Sequence, residues 1–509
     1  MVQTDPVPPE TDAAFTFTDL TTDDLARVRD LVETVWFSVT PGKTLEDLDD
    51  EVDLSHARGV VRTGGPLPGE GDEGGAAPLM AFYSAFDMGL TAPGPGDALT
   101  RVPMDGLTFV SVHPDARRRG VLRAMMTDHL HRVHERGECA IAGLHASETA
   151  IYGRFGYGCA SVEAKLTLGR GTELRAPAPL AAEADGVSTH VVTVDSEAAL
   201  AVLHEAHLAC AGVTLGAVTR PEALAQRWFA FRDHPQARGS KEPQRLLVAR
   251  RDGQVSGYAV FRRESKWEDG KPAGEVAVGE LGATDDATLL ALARRLVDLD
   301  LTARTTFWSR PTDDPVAWWT GGPRGADVQL FDALWIRLVD LPRALTERGY
   351  ADGSPLDLVL EVTDDVCPWN AGRWRLRIEA DGRAEVSASD ADPDARRRWR
   401  RWARHTSAGG RCSPRRPPSG SPSGRRARCA GCRAPCGPTA SRCRRSASDP
   451  ACYRERSVTT AVCCCASSRS AESTASTSTV PTTTCRTAAC GSSGTEATST
   501  LATPSTASA

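Results

Sequence analysis

The sequence lacks any long apolar segment. No run of about 18 apolar residues occurs along the chain, so we expect no membrane-spanning helix. Its start, Met1–Thr11, also lacks the basic residues and the apolar stretch of a signal peptide. Cysteine is scarce before Gly410, with four scattered residues, which fits a reducing compartment. We therefore expect a cytoplasmic protein that does not bind a membrane.

Lysine is absent after Pro393, and charge is unevenly distributed along the chain. The residues after Pro393 include 20 Arg and 5 acidic residues, whereas the preceding body contains 40 basic and 61 acidic residues. The net charge of −6 thus combines an acidic body with a basic tail. An acidic body argues against nucleic acid as a partner and favours cations, through long-range attraction. Hydrophobic residues at 40% and charged residues at 25% fit a globular protein of about two to four domains.

The composition changes abruptly after about Pro393, where Arg, Ser, Thr, Pro, Cys and Ala dominate and apolar periodicity disappears. Three hypotheses are open for residues 394–509. The first is a disordered basic tail, which low-complexity composition favours. The second is a metal site at Cys429, Cys432 and Cys436, whose spacing is C-x-x-C-x-x-x-C. The third is a shifted reading frame.

The third hypothesis can be examined because Trp has a single codon. With GC-rich codons, regrouping the bases of Asp394–Gly410 converts each Arg-Trp pair into a Leu codon. The regrouped segment reads as an Ala- and Leu-rich amphipathic helix followed by a glycine-rich turn. We favour this hypothesis and expect residues 394–509 to be a low-complexity, frame-shifted and disordered tail that has no fold and binds no metal.

The first part of the body alternates strand and helix patterns. Apolar residues along Phe15–Phe37 predict a helix that begins near Thr22. A second helix is predicted over Gly120–Glu135. Strands are predicted at Leu79–Phe86, Leu107–Val112, Cys139–Leu144 and, as the final strand of this part, Val162–Leu168. The order of strand, helix and strand indicates an α/β unit on a mixed sheet.

Two further segments follow. The second has predicted helices at Ala198–Ala211, Pro221–Phe231 and Asp286–Asp298, and strands at Arg245–Arg250, Val255–Arg262 and Glu275–Leu281. Two of these strands flank Asp252-Gly253, which is typical of a hairpin. The third has a strand at Leu334–Val339, a helix at Leu341–Arg348, and strands at Leu356–Val362, Arg373–Ile378 and Ala384–Val386.

The strongest local signal is Val110–Leu122, where a strand enters a loop with three consecutive Arg residues and one Gly before a helix begins. A helix start presents unpaired N–H groups and the positive end of a dipole, which suits a pyrophosphate. Gly120 allows the backbone to approach closely, and Arg118 and Arg119 can add charge-assisted hydrogen bonds. The alternative is a solvated basic turn before a surface helix.

This segment, V-x-V-x-P-x-x-R-x-x-G-x-L, resembles the acetyl-CoA loop of GNAT acetyltransferases. Leu122 departs from the Gly or Ala that is usual at the last position. Further along, Ile151–Gly158 resembles the tyrosine motif of that family, and Tyr152 occupies the position of the Tyr that commonly protonates the departing thiolate. The alternative for Tyr152 is an aromatic ring packed under a glycine-rich turn.

The resemblance narrows to the enhanced intracellular survival (Eis) acetyltransferases of actinobacteria. R-R-R-G-V-L-R-A-M-M, A-S-E-x-x-I-Y-G-R-F-G-Y-G and the segment Asp332–Asp340 are similar to theirs. It implies an α/β fold with two tandem GNAT domains and a sterol-carrier-protein-like domain, of which only the first domain binds acetyl-CoA. We place these domains at residues 1–165, 166–325 and 326–393, the third being incomplete. Members form hexamers, so the resemblance implies a homohexamer.

The resemblance also assigns roles to residues. Val110, Ser111 and Val112 would offer backbone groups to the pantetheine arm, and Tyr152 would be the general acid. The other cofactor contacts would come from Arg118, Arg119, Gly120, Val121, Leu122, Arg123, Ser147 and Glu148. A free Tyr has a pKa near about 10, so its phenol can donate a proton at neutral pH.

The general base has no secure occupant. In the family, the C-terminal carboxylate of the chain takes this role, whereas this sequence ends in a low-complexity run. His145 stands where the family usually has Thr and is a candidate substitute, although a lone His is more often only packed or hydrogen-bonded. We expect an N-acetyltransferase whose acceptor is a small polycationic amine, aminoglycoside-like or polyamine-like. The alternative is an impaired CoA-binding protein, or a non-functional product with a disrupted third domain.

Overall fold

The computed structural model of the chain describes residues 14–37, 52–65, 67, 77–225, 241–351, 353 and 355–398. The hypotheses on residues 399–509 and the end of the helix expected at Pro221–Phe231 lie outside these residues. Among the residues described, no helix is long and apolar enough to cross a membrane.

Strands occur throughout the part of the chain that the structure describes. They are β1 Phe15–Thr18, β2 Arg58–Arg62, β3 Leu79–Pro93, β4 Leu99–Val112, β5 Ile141–His145, β6 Gly158–Cys159, β7 Val162–Gly169, β8 Ser188–Thr193, β9 Val218–Thr219, β10 Arg245–Arg251, β11 Gln254–Glu264, β12 Trp267–Glu268, β13 Lys271–Pro272, β14 Gly274–Ala283, β15 Thr302–Pro311, β16 Gln329–Asp332, β17 Leu334–Leu338, β18 Leu356–Thr363, β19 Gly372–Ile378, β20 Ala384–Ala388 and β21 Ala395–Arg398. Every strand predicted from the sequence is present, and β3 and β4 are longer than predicted.

The helices include four predicted from the sequence beyond the first, and three short ones, at Thr149–Tyr152, Ala178–Asp185 and Pro315–Trp319, that were not predicted. They are α1 Leu25–Trp36, α2 Val121–Arg136, α3 Thr149–Tyr152, α4 Ala178–Asp185, α5 Glu197–Gly212, α6 Asp286–Val297, α7 Pro315–Trp319 and α8 Leu341–Glu347. The turn before α1 is closed by Asp24, whose Oδ2 accepts the backbone N–H of Thr21 at 2.9 Å. The helix that was expected to begin near Thr22 is confirmed as α1. The start of the same apolar segment, Phe15–Thr18, forms β1.

The first sheet has the order β1-β2-β3-β4-β5-β17-β6, with β9 beside β3. Its strand β17 comes from far along the chain and lies antiparallel between β5 and β6. Conversely, β7 pairs with β15 and β16 in the second sheet. Val162–Leu168 was expected to complete the first unit, but it belongs to the second sheet. Leu334–Val339 was expected to open the third segment, but it belongs to the first sheet. Alternation predicts a strand but not the sheet that accepts it.

The second sheet has the order β16-β7-β15-β14-β11-β10-β8. The hairpin predicted around Asp252-Gly253 is confirmed, since β10 and β11 pair on either side of it and both turn residues have positive φ. Leu289, Leu292 and Leu296 of α6 pack into the largest apolar core beside this sheet. The two large sheets, each with helices packed on it, confirm the mixed α/β class.

The third sheet, of order β20-β19-β18-β21, packs with α8 into a smaller core. β21 runs parallel to β18, and Asp394 fixes its start. The Asp394 carboxylate accepts the N–H of Val359 at 2.8 Å, and its own N–H donates to the Val359 carbonyl at 2.9 Å. The expectation that residues 394–509 lack a fold from their first residue is therefore wrong for Ala395–Arg398. Backbone pairing depends little on side-chain composition, which was the basis of that expectation.

Candidate active site

The site begins where two parallel strands of the first sheet separate. β4 and β5 pair over Met104–Gly106 and Ile141–Gly143. Beyond this point β4 continues along β3 to Val112, and β5 continues to His145. The register between β3 and β4 shifts near Phe109, whose φ is 53°. Such a bulge bends a strand, and here it lies beside the gap between β4 and β5.

The loop after β4 leads directly into α2. A short 3-10 turn at Pro114–Ala116 is followed by exposed Arg117 and Arg118, and then by Gly120 with a φ of 81°. Gly120 is the N-cap of α2, and no side chain caps this helix. The first-turn N–H groups are thus left for solvent or for an anion, as the sequence motif predicts.

A cavity of about 900 Å³ joins this helix start to the ends of β4 and α3. It brings together most of the residues that the sequence singles out. Those that line it are Val110, Val112, Arg118, Gly120, Val121, Leu122, Arg123, Ser147, Glu148 and Tyr152. Residues separated by some forty positions in the chain therefore share one opening.

Three of the residues predicted from the sequence are not among the described residues that line this cavity: Ser111, Arg119 and His145. The Ser111 side chain is fully buried, and its Oγ accepts a hydrogen bond from Nε1 of Trp36 at 3.0 Å. The Arg119 guanidinium lies over the ring of Phe15, 4.5 Å from its centroid. His145 is exposed at the end of β5. The sequence identified these positions but not the direction of their side chains.

Tyr152 ends α3 and is almost fully buried, with 6% of its surface exposed. Its ring packs edge-on against Tyr157, with centroids 6.0 Å apart. Burial raises the pKa of the Tyr152 phenol above its ordinary value, while a hydrogen bond with Ser147 acts in the opposite direction. The phenol is therefore protonated at neutral pH and can donate its proton to a ligand in the cavity.

Sequence reasoning missed two contributions to the cavity. Val35 and Trp36, at the end of α1, form part of its wall, and so does the segment Thr363–Val366 after β18. Both are remote in sequence from the two motifs, so no local spacing connects them to the site. Arg154 also lines the cavity, and although it lies within the tyrosine motif it had no assigned role.

The comparisons with known proteins agree with this geometry. An acetyltransferase (GNAT) domain family matches residues 16–160, a second acetyltransferase (GNAT) family matches residues 216–338, and a sterol carrier protein domain matches residues 341–406. These matches include strands of all three large sheets, while β7 and β8 of the second sheet lie between the first two matches. The crystal structure of Eis1 from Mycobacterium abscessus superimposes with a TM-score of 0.58 at 25% identity, over 76% of this chain and 88% of that one.

The curated relatives that match the chain are also N-acetyltransferases. The chain is 38% identical to an uncharacterized N-acetyltransferase of Streptomyces coelicolor, over 62% of this chain and 74% of the relative. It is 33% identical to the N-acetyltransferase Eis of Mycobacterium tuberculosis, over 70% of this chain and 78% of the relative. Two GNAT domains followed by a sterol-carrier-protein-like domain are thus present in this chain. The chain belongs to the Eis-type N-acetyltransferases of the GNAT family, whose members use acetyl-CoA.

Proposed function

We propose that the first sheet binds acetyl-CoA, and that the chain transfers the acetyl group to an amine of a small polycationic acceptor, aminoglycoside-like or polyamine-like. One observation supports this most strongly: the arginine loop and Tyr152 line the same cavity. Groups suited to the phosphates and a proton donor suited to the thiolate therefore face one opening.

The cofactor would be held from both sides of the cavity. The first-turn N–H groups of α2, with Arg118, Arg119, Gly120, Val121, Leu122 and Arg123, would hold the pyrophosphate. Backbone groups of Val110, Ser111 and Val112 would bind the pantetheine arm. Ser147 and Glu148 would lie beside the thioester. For Ser111 and Arg119 the support is positional only, because their side chains have partners elsewhere.

The reaction would proceed in one cavity without a metal. A neutral amine nitrogen attacks the thioester carbonyl carbon, a C–N bond forms, and the C–S bond breaks. Backbone N–H groups near Val112 would stabilise the developing oxyanion. The electron pair of the broken bond leaves on sulfur as CoA thiolate, which takes its proton from the Tyr152 phenol. The raised pKa of Tyr152 supports this role, because the phenol remains protonated until then. The nitrogen releases one proton to a general base or to water, and a proton from water restores the phenol.

The choice of a cationic acceptor is supported by charge. The residues that line the cavity include the acidic Glu148 and Asp365. The body of the chain is strongly acidic as well. Such a field attracts polycations and raises their local concentration near the opening. From the resemblance we further propose a homohexamer, and from the scarcity of cysteine in the body a cytoplasmic location.

The general base remains to be assigned. His145 is exposed at the end of β5, and residues 399–509, which include the C-terminal carboxylate, lie outside the described structure. A chain without a base would bind acetyl-CoA but transfer its acetyl group slowly.

A thiol-release assay with acetyl-CoA and either tobramycin or spermidine tests the proposal. We expect amine-dependent release of CoA by the 509-residue chain. Binding of acetyl-CoA without release in the presence of either amine would support the alternative. A companion gene with one base inserted or deleted near the codon of Asp394 tests the shifted frame. If the companion gene product is more active, the segment in the restored frame supplies the general base.

A further inference from the structure

A row of buried charged residues crosses the first sheet at the level where β4 and β5 separate. Asp105 of β4 pairs with Ala142 of β5, and Ala142 pairs with Arg337 of β17. Paired residues point to the same face of a sheet, so Asp105 and Arg337 flank the small Ala142 side chain. Both charged residues are fully buried.

The ring of Tyr157 occupies the space near this row. Tyr157 is itself fully buried, and the charges of Asp105 and Arg337 both act on its phenol. Its ring in turn packs against that of Tyr152, the proposed general acid. Asp105 forms a hydrogen bond with His129 Nε2 at 2.7 Å and an ion pair with Arg136 at 2.6 Å. The counter-ion of Arg337 belongs to the segment that lines the cavity.

That counter-ion is Asp364, which lies in the segment missed by sequence reasoning. Arg337 donates to both carboxylate oxygens, at 2.7 and 2.6 Å, and both side chains are excluded from water. Asp364 Oδ1 also accepts the backbone N–H groups of Val366 at 3.2 Å and Cys367 at 3.0 Å. The carboxylate therefore fixes the backbone of the segment that follows it. Asp364, Asp365 and Val366 line the cavity.

We propose that Arg337 is a positioning residue of the acetyl-transfer site: its buried ion pair with Asp364 holds the segment Thr363–Val366 as the wall against which the cationic acceptor binds. A strand inserted into the first sheet thereby couples the sterol-carrier-like domain to the active site. The segment suits the amine rather than the cofactor, because the negative charge of Asp365 would repel the phosphates. This inference rests on the proposed function.

The chain contains a matched control. Arg310 and Asp314 form a second buried ion pair at 2.6 Å, in the second sheet and away from the cavity lining. Breaking either pair leaves a buried carboxylate uncompensated, so both should destabilise the fold. The variants to compare are R337M with R310M, and R337K with R310K. Lys keeps the charge but loses the planar guanidinium, so the Lys variants remain useful if a Met variant does not fold.

Calorimetry on the full chain measures tobramycin affinity in the presence of CoA, and acetyl-CoA affinity separately. We expect R337M to weaken tobramycin binding at least tenfold, R337K to weaken it severalfold, and acetyl-CoA affinity to stay within twofold. R310M and R310K should lose thermal stability without changing either affinity. If the Arg337 and Arg310 variants behave alike, the role of Arg337 is only structural and the proposal is wrong.

A second measurement does not depend on activity. Cys367 is fully buried beside the ion pair, and burial raises its thiol pKa to about 12. We expect a maleimide to label the Cys367 peptide in R337M much faster than in the wild type or R310M. Equal labelling would show that the ion pair does not hold the segment. If the wild type neither binds acetyl-CoA nor releases thiol, the proposed function is wrong. The labelling comparison still tests whether the ion pair holds the segment Thr363–Val366.

Discussion

The first and second sheets share a plan but differ at the point where a cofactor would enter. In each, a long strand pairs in parallel with the strand that follows its helix: β4 with β5 around α2, and β14 with β15 around α6. In the first sheet the pairing ends at Gly106 and Gly143, and a cavity follows. In the second it ends at Val278 and Phe307, and β14 and β15 likewise run on beyond the paired residues, to Ala283 and Pro311.

The two helix starts differ as well. α2 begins at Gly120, with no side-chain cap and with Arg residues before it. α6 begins after Asp285, whose Oδ1 accepts the N–H of Thr288 at 2.8 Å, and Asp286 follows. The second helix start is therefore already satisfied by a carboxylate, and its charge would repel a pyrophosphate.

Arg310 completes the contrast. It extends from β15, is 8% exposed, and donates both to the Leu281 carbonyl of β14 and to Asp314. Its guanidinium thus bridges the ends of the two strands, where the first sheet has an opening. The comparison indicates that the shared strand and helix plan does not by itself make an acetyl-CoA site. An uncapped, basic helix start and an open gap are also needed.

The largest effect should come from removing the bare helix start. Gly120→Asp would place a carboxylate at the proposed pyrophosphate position, so we expect acetyl-CoA binding to be abolished in calorimetry. Gly253→Asp is a matched control, because Gly253 has a φ of 80° and open space around a Cβ, as Gly120 does. It should cost similar backbone strain and leave affinity unchanged. Unchanged affinity in the Gly120 variant would remove the loop from the site.

The next largest effect concerns the phenol of Tyr152, at the end of α3. In the second domain the short helix α7 ends instead at Trp319, which has no phenol. Tyr152→Phe should lower kcat by about 10²–10⁴-fold, since a proton donor to the thiolate is lost. Acetyl-CoA affinity should change little. The control is Tyr258→Phe, which removes a buried hydroxyl bonded to His207 at 2.9 Å in the second sheet. It should reduce stability but not kcat.

The pH dependence of the wild type sharpens this assignment. The pKa of Tyr152 is raised, so its acid form persists above the ordinary titration range of tyrosine near about pH 10. We expect no loss of kcat from this phenol between about pH 8 and 10. A decline in that range that vanishes in Tyr152→Phe would mean that the phenol loses its proton there and that its pKa is not raised, whereas a rise that vanishes in the variant would mean that the phenol acts in its ionised form.

Much of this contrast could be read from the sequence, but not all of it. Strand and helix positions followed from apolar periodicity, and the loop at Arg118 and Gly120 was recognisable because its chemistry is local. The exchange of β7 and β17 between sheets was not, since periodicity is the same in either sheet. Trp36 and Asp364 reach the cavity through tertiary packing, which no local spacing encodes. The side-chain direction of Ser111 depends on the bulge at Phe109, which the alternating pattern did not indicate.

A smaller effect is expected from the bridge that closes the second sheet. Arg310→Met leaves Asp314 buried without its partner, so the free energy of unfolding should fall by about 3–5 kcal/mol. The variant should still bind one acetyl-CoA per chain, because Asp285 and Asp286 continue to disfavour an anion at α6. Denaturant unfolding and calorimetric stoichiometry measure the two quantities. A second equivalent of bound acetyl-CoA would show that the bridge alone closes that gap.

The smallest effect separates side chain from backbone at the end of β4. Ser111→Ala removes the hydroxyl that accepts from Trp36 Nε1, a bond whose net value should be about 1 kcal/mol. Trp36 is 45% exposed, so water can replace the lost partner. Acetyl-CoA affinity should stay within twofold, because we assign to Ser111 only backbone contacts with the cofactor. Trp36→Phe breaks the same bond from the other side, so the double variant should lose less stability than the sum of the single changes. A tenfold loss of acetyl-CoA affinity in Ser111→Ala alone would mean that the hydroxyl turns into the cavity when the cofactor binds, and that the gap in the first sheet is shaped by its ligand rather than open beforehand.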